Sequence, residues 1–215
     1  MAKTGDRTTR ETLLRSGYAL FGVIIIGLGA AILQTGGVGV DPYTAMNIGI
    51  AASLGWTLGA YQLLSNLVLF IPVLIWGRKY IGPGTVINMV LTGFFIDLFT
   101  WMLKPLKPED PSMLVMTMFF LIGIGVFAFG ASAYMSAGVG TAPYDAIAPM
   151  IVERTKLSYT WVRVPQDVLI VVLAILFKGQ VGFGTVMTAF FNGPLIQNFT
   201  EKFNRPAVER LVGKK

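Results

Sequence analysis

Apolar residues fill this chain in long blocks that polar residues only punctuate. Uncharged runs cover 16–40, 42–77, 80–96, 111–144 and 179–200, and several exceed the roughly 20 residues a helix needs to cross about 30 Å of hydrocarbon. The pattern predicts six crossing helices at about 17–36, 58–77, 84–103, 113–136, 158–177 and 184–201. Two further segments, 42–53 and 143–152, are too short to cross: 10–12 helical residues span only about 15–18 Å. Each opens with a proline, which suits the first helical turn because its missing N–H has no intrahelical partner there.

The pattern also repeats. Gly37-Val38-Gly39-Val40-Asp41-Pro42-Tyr43-Thr44-Ala45 recurs as Gly138-Val139-Gly140-Thr141-Ala142-Pro143-Tyr144-Asp145-Ala146, 101 positions later. Gly82-Pro83-Gly84-Thr85-Val86 recurs as Gly182-Phe183-Gly184-Thr185-Val186, and between 81–99 and 181–199 seven of 19 aligned pairs are identical. The predicted fold is an all-α membrane protein, six transmembrane helices plus two half-helices in an inverted 3+3 internal repeat. Its parts are a cytosolic segment 1–16, a first repeat 17–103 with half-helix 42–53, and an external linker 104–112. A second repeat 113–201 with half-helix 143–152 and a cytosolic basic tail 202–215 complete it. Three crossings per repeat, an odd number, turn the second copy upside down relative to the first. A rival layout lets the short segments cross as well, giving eight spans in two parallel repeats of four.

Composition agrees with a membrane location. Hydrophobic residues make up 54% and charged ones only 13%, about half the charged share of soluble domains, and the mean hydropathy is +0.67. Of 17 Lys and Arg, the six-span layout puts 13 on the cytosolic side, including Lys3, Arg7, Arg10 and Arg15. Three (Lys104, Lys107 and Lys178) fall outside and Arg163 lies within a span. The eight-span layout gives the same 13 against three, so the positive-inside bias does not separate the two. The net charge of +6 is explained by cytosolic loops facing anionic lipid, not by nucleic acid. Trp56, Trp76, Trp101 and Trp161 fall near span ends, where amphipathic rings favour the headgroup region. Gly22 and Gly29 match Gly123 and Gly130, a spacing of seven that aligns both glycines on one helix face and predicts contact between the first spans of the two copies.

Candidate chemistry is sparse. The chain has no histidine and no cysteine, which removes thiolate chemistry, disulfides and ordinary zinc sites. No P-loop, G-x-S-x-G or H-E-x-x-H motif is present, so the reading is not an enzyme and implies no cofactor or metal. What remains is the duplicated break. Unwound backbone at membrane depth is tolerated only where it is buried in protein or lines a wet cavity, and two half-helices would aim their positive ends at a shared centre. Candidate solute-binding residues are therefore Gly39, Asp41, Pro42, Tyr43, Gly140, Thr141, Pro143, Tyr144 and Asp145. A polar chamber between Pro42 and Pro143 is expected. Each residue also has a plainer reading: glycine and proline as a packed turn, the tyrosines packing across the repeat interface, Asp41 as a helix cap.

Arg163 and Asp167 stand four apart, on one helical face, and their repeat partners are Leu63 and Leu67. Charges inside a span are costly and mark functional sites by default; a structural ion pair is the alternative. Asn66 and Gln166 occupy matching positions inside spans, as ligands or as helix glue. Asn88 and Asn192 are further polar groups inside spans, and Asp97 and Gln197 pair near span ends. Thr85 and Thr185 read as caps of the helices they open.

The order of an apolar span, G-V-G-x-x-P-[YW], a short helix, a span ending in basic residues, then G-x-G-T and a helix closing in I-D-L-F resembles the YczE/YyaS/YitT-type bacterial membrane proteins. The matching stretches are 37–45, 82–85 and 96–99, with 138–145 and 182–185 in the second copy. Related sequences often carry Trp after the motif proline; here Tyr43 and Tyr144 stand there. The resemblance implies location and fold, not an activity.

The functional expectation is a transporter in the cytoplasmic membrane, both termini cytosolic, moving a small solute by alternating access around the two breaks. Converging helix starts plus Arg163 lean toward an anionic solute, with Asp145 or Asp167 coupling to protons. The alternatives are a passive small-solute channel and a non-transporting accessory or assembly protein. Expected partners are membrane lipids and the solute; a homo-oligomer is compatible with the sequence.

Overall fold

A computed structural model describes residues 7–213; Lys3 and the last two lysines of the basic tail lie outside the described residues. The described chain is helical, without strands. Its helices are α1 (Thr9–Thr35), α2 (Pro42–Leu54), α3 (Leu58–Trp76), α4 (Pro83–Leu103), α5 (Met113–Ala137), α6 (Pro143–Val152), α7 (Tyr159–Leu176), α8 (Phe183–Phe199) and α9 (Arg205–Leu211). Starts follow local chemistry: side chains of Thr8, Thr57 and Ser112 accept a hydrogen bond from the first turns of α1, α3 and α5.

Among the described residues, five helices are long and apolar enough to cross a membrane: Thr9–Thr35, Leu58–Trp76, Pro83–Leu106, Met113–Ala137 and Tyr159–Leu176. The sixth expected span is shorter. α8 has 17 residues, about 26 Å at 1.5 Å per residue, and runs on through a π-helical turn at Thr200–Asn204 into α9. That turn is tied down by polar contacts. Asn204 is fully buried, receives the Tyr18 hydroxyl on Oδ1 at 2.6 Å, and donates from Nδ2 to Ser132 Oγ at 2.8 Å.

The core of the molecule is the contact between α1 and α5, which run antiparallel. Gly22 meets Gly130, Gly29 meets Phe127 and Leu33 meets Gly123, residue numbers rising on one helix as they fall on the other. Backbone approaches backbone here. A Cβ on Gly130 would lie 2.5 Å from Ile26 N and 2.9 Å from the Gly22 carbonyl oxygen. The contact predicted between the first spans of the two copies is thus present, with Gly22 against Gly130 while Gly29 and Gly123 admit Phe127 and Leu33. α4 packs on another side of α1, where a Cβ on Gly27 would meet Phe95 Cβ at 2.6 Å.

The end of α5 is held by α1. Arg15, buried and bonded to Glu11 at 2.9 Å, donates to the Ala137 carbonyl at 3.1 Å, and Arg7 donates to the Gly138 carbonyl at 2.7 Å. Cations at a helix C-terminus answer its partial negative charge. A second tie joins the α3–α4 turn to the end of α6: Lys79 and the Tyr80 hydroxyl, the latter at 2.6 Å, both donate to Glu153 Oε1. The Lys79 and Tyr80 donors hold the Glu153 carboxyl below the usual carboxylate range. Burial, with the Glu153 carboxylate beside it, pushes the Tyr80 phenol up to about 12.

Prolines interrupt α3 (Pro72), α6 (Pro149), α7 (Pro165) and α8 (Pro194). Three of the four lie in the second copy.

Two outcomes are expected. Gly130→Leu should lower the thermal-unfolding midpoint in detergent by the equivalent of about 1–3 kcal/mol, as overpacking does, while Gly125→Leu, with nothing within 4 Å of its Cβ position, should leave it unchanged. A carboxyl with a lowered folded pKa stabilises above its unfolded value, near 4.3, and that contribution is lost as pH falls through the folded value. Below about pH 4 the wild-type midpoint should therefore fall more steeply than that of Glu153→Gln.

Candidate functional site

After α1 and after α5 the chain runs extended for a few residues, and glycines make each bend. Gly37 and Gly39 have φ of +65° and +94°, Gly138 and Gly140 of +62° and +127°, a region other L-residues enter at a cost of about 1–2 kcal/mol. The two extended stretches do not pair with each other. Each clamps the Gly-x-Gly-Thr turn of the opposite copy. Gly184 N–H donates to the Val38 carbonyl at 2.7 Å, and Gly84 N–H to the Val139 carbonyl at 2.9 Å. Val40 N–H reaches the Gln180 carbonyl at 3.4 Å, as Thr141 N–H reaches that of Tyr80 at 2.9 Å. A Cβ on Gly39 would sit 2.7 Å from Thr185 Oγ1, and one on Gly140 would sit 2.8 Å from Gly82 N. Thr85 and Thr185 are buried and accept the N–H of Gly82 and Gly182, each at 3.1 Å, closing the turns expected of them. The crossing of the two clamps is not visible in the sequence.

From these stretches start α2 and α6, with Pro42 and Pro143 as buried first residues. Asp41 caps α2, accepting the Thr44 N–H on Oδ1 at 3.1 Å. Asp145 lies in the first turn of α6. Where the two starts meet, Tyr43 and Tyr144 stack, ring centroids 4.6 Å apart and 13° from parallel. Both rings are buried. This corrects the expected polar chamber beside Pro42 and Pro143: two aromatic faces, buried against each other, occupy the meeting point, because stacking hides more apolar area than a wet gap does.

Their hydroxyls point to opposite copies of one helix. Tyr43 donates to Asn66 Oδ1 at 2.8 Å, with Ser65 Oγ 3.1 Å away, and Tyr144 donates to Asp167 Oδ1. Asn66 also donates to the Met89 carbonyl at 3.1 Å, fastening α3 to α4. Asp167 thus holds the place of Asn66 in the second copy, one position on from the Gln166 that the sequence matched to it, and Gln166 turns to the Tyr144 carbonyl at 3.0 Å. Asn47, fully buried on α2, donates to the Tyr43 carbonyl at 2.7 Å; the sequence reading passed over it, though an amide inside a half-helix was the available signal.

Arg163 pairs with Asp167, as the spacing of four predicts, Nε to Oδ2 at 2.9 Å. It pairs also with Asp145 at 3.0 Å and lies 4.8 Å above the Tyr144 ring. The third member, Asp145, comes from another helix and was not linked to Arg163 by the sequence. Its presence changes the electrostatics: two carboxylates face one guanidinium. Asn88, Asn192, Asp97 and Gln197 stand away from this cluster in α4 and α8; Asp97 accepts the Gly59 N–H at 2.7 Å, and Gln197 bonds Glu201 at 3.0 Å.

The chain belongs to the family of unknown function DUF6198, whose model matches residues 13–201. It is 29% identical over 189 residues to the uncharacterized membrane protein YczE of Bacillus subtilis, covering 87% of this chain and 86% of that protein. It is 30% identical over 193 residues to the uncharacterized protein YyaS of the same organism, with 90% and 93% covered. An uncharacterized protein of Haemophilus influenzae is 31% identical over 183 residues, with 84% and 80% covered. These relatives fit the YczE/YyaS-type resemblance carried by the motifs. No solved structure matches the chain.

Gly39→Ala and Gly140→Ala should each cost on the order of 1–3 kcal/mol, the strain of an unfavourable backbone region, with the opposing Thr185 and Thr85 turns displaced. Thermal unfolding of the two variants in detergent checks the magnitude, and equal losses are expected because the clamps are equivalent.

Proposed function

We propose that this DUF6198 member carries a small polar solute across the cytoplasmic membrane by alternating access. In this reading six crossings and two half-helices form an inverted 3+3 repeat, with both termini cytosolic and Gly39, Gly140, the tyrosines and the Arg163 cluster at the centre. The antiparallel α1–α5 contact supports it, since eight crossings would make these two helices run the same way. The half-helix reading is supported by length: α2 and α6 have 13 and 10 residues, about 20 and 15 Å. Without a nucleotide motif, energy comes from a gradient or from a partner ATPase.

One observation carries the proposal: equivalent helix pairs are packed differently. In the first copy α3 lies along α4. A Cβ on Gly93 would meet Gly59 Cα at 2.8 Å, and Met89, Thr92 and Ile96 are buried on the same face. In the second copy α7 and α8 hardly touch. Gly193 has nothing within 4 Å of its Cβ position, and Ala189, Asn192 and Ile196 are exposed or half-buried. Two copies of one fold held in two packings are what a rocking transporter needs, each copy able to take the other's arrangement. With the N-terminus cytosolic, the open pair faces the cytosol and the closed pair faces outward.

The absence of cysteine makes a labelling test direct. Gly193→Cys and Thr92→Cys are placed in proteoliposomes, with labelled guanidinium, erythritol and oxalate as probes. A probe that moves faster than through protein-free liposomes should lower maleimide reactivity at position 193 and raise it at position 92. Flux with both reactivities unchanged indicates a passive channel. No flux of any probe, with both positions fixed, defeats the transport reading and leaves the accessory role.

A further inference from the structure

We infer that the cage formed by Tyr144, Asp145 and Asp167 is a binding site for a small organic cation bearing N–H donors, an ammonium or guanidinium group, and that Arg163 occupies it in the resting protein. The inference rests on the transport reading and assigns its solute class.

The cage has the parts that recognise such a group. Carboxylate oxygens of Asp145 and Asp167 lie 3.0 and 2.9 Å from the guanidinium of Arg163, on either side of it in sequence and from different helices. The Tyr144 ring lies 4.8 Å from its carbon, in range for a cation on an aromatic face. Two carboxylates against one guanidinium leave a formal charge of −1. An anion therefore meets repulsion here, and the feature that suggested one is already answered: Asp41 caps α2 and Asp145 sits in the first turn of α6, so each helix start holds its own carboxylate.

A second observation points the same way. Three buried oxygen acceptors without a donor belong to residues next to the tyrosines in sequence or bonded to their carbonyls: Asp41 Oδ2, Asn47 Oδ1 and Gln166 Oε1. The amide groups of Asn47 and Gln166 each donate one N–H to the carbonyls of Tyr43 and Tyr144, which fixes their orientation and leaves their oxygens unpartnered. Asn47 is fully buried. Unpaired buried acceptors are costly, and a solute rich in N–H groups satisfies them where a carboxylate or phosphate, which brings acceptors, does not.

Entry is provided for. The Asp145 side chain is 52% exposed, and Arg163 is 25% exposed. An incoming cation exchanges with Arg163 on Asp145 first, while the Arg163–Asp167 bond, four residues apart on α7, is the last to give way. By the matching Tyr43–Asn66 and Tyr144–Asp167 bonds, the first copy has Gln62, Asn66 and Thr44, none of them charged, at the equivalent positions, so the described residues hold one cage.

Thermal unfolding of detergent-purified protein tests this, with millimolar guanidinium chloride against sodium chloride and sodium oxalate at matched ionic strength. Guanidinium should raise the wild-type midpoint saturably. Arg163→Gln, which empties the cage, should bind it about tenfold more tightly, the worth of one displaced charge-assisted contact. Asp167→Asn and Asp145→Asn should bind at least about tenfold more weakly, and Arg163→Lys should behave as wild type. Where Arg163→Gln fails to fold, the contrast between Arg163→Lys and Asp145→Asn decides. Stabilisation by oxalate in place of guanidinium, or equal guanidinium binding by wild type and both aspartate variants, overturns the inference. Guanidinium binding without flux in proteoliposomes upholds the site and removes transport; oxalate flux without guanidinium binding does the reverse.

Discussion

Backbone hydrogen bonding at the two chain breaks is the constraint on which this molecule is built. Between helices the amides and carbonyls of Val38–Val40 and their counterparts have no i→i−4 partner, and burial of Val38, Val40 and Val139 keeps water from supplying one. The solution is reciprocal: the Val38 carbonyl is satisfied by Gly184 and the Val139 carbonyl by Gly84. Neither copy is complete alone. The glycines serve this exchange twice over, by reaching positive φ and by letting backbones close to hydrogen-bond range.

Once the clamps are set, the tyrosines follow. Each motif proline is followed by a tyrosine whose ring is delivered to the axis between the copies, and the stack joins α2 to α6 while the hydroxyls reach into α3 and α7. A shift in either long helix is thus felt at the stack. The Tyr144 ring also carries Arg163 on its face, so the centre of the fold and the charged cluster share one side chain.

Much of this was legible in the sequence, for physical reasons. The α6 boundaries match 143–152 and α2 ends one residue past 53, because proline and glycine act locally. The Arg163–Asp167 pair and the α1–α5 contact were readable because helical periodicity alone places those groups on one face. Asp145 as the third member of the cluster, the clamp crossing between copies and the tyrosine stack were not readable, since each depends on how helices far apart in sequence come together. The different packing of α3–α4 and α7–α8 had no sequence signal of its own: Gly93 and Gly193 are the same residue, one pressed on a neighbour and one facing open space.

The prolines of the second copy carry a mechanical consequence. Pro149, Pro165 and Pro194 replace Ile48, Leu64 and Phe94 of the first, and each deletes one rung of a helical ladder and wedges its ring against the turn before. Bending α6, α7 or α8 at those points breaks no bond that was there to begin with. The duplicated halves are therefore unequal in stiffness, the first with one such joint at Pro72 of α3 and the second with three, and elastic compliance is concentrated in the half that holds the charges.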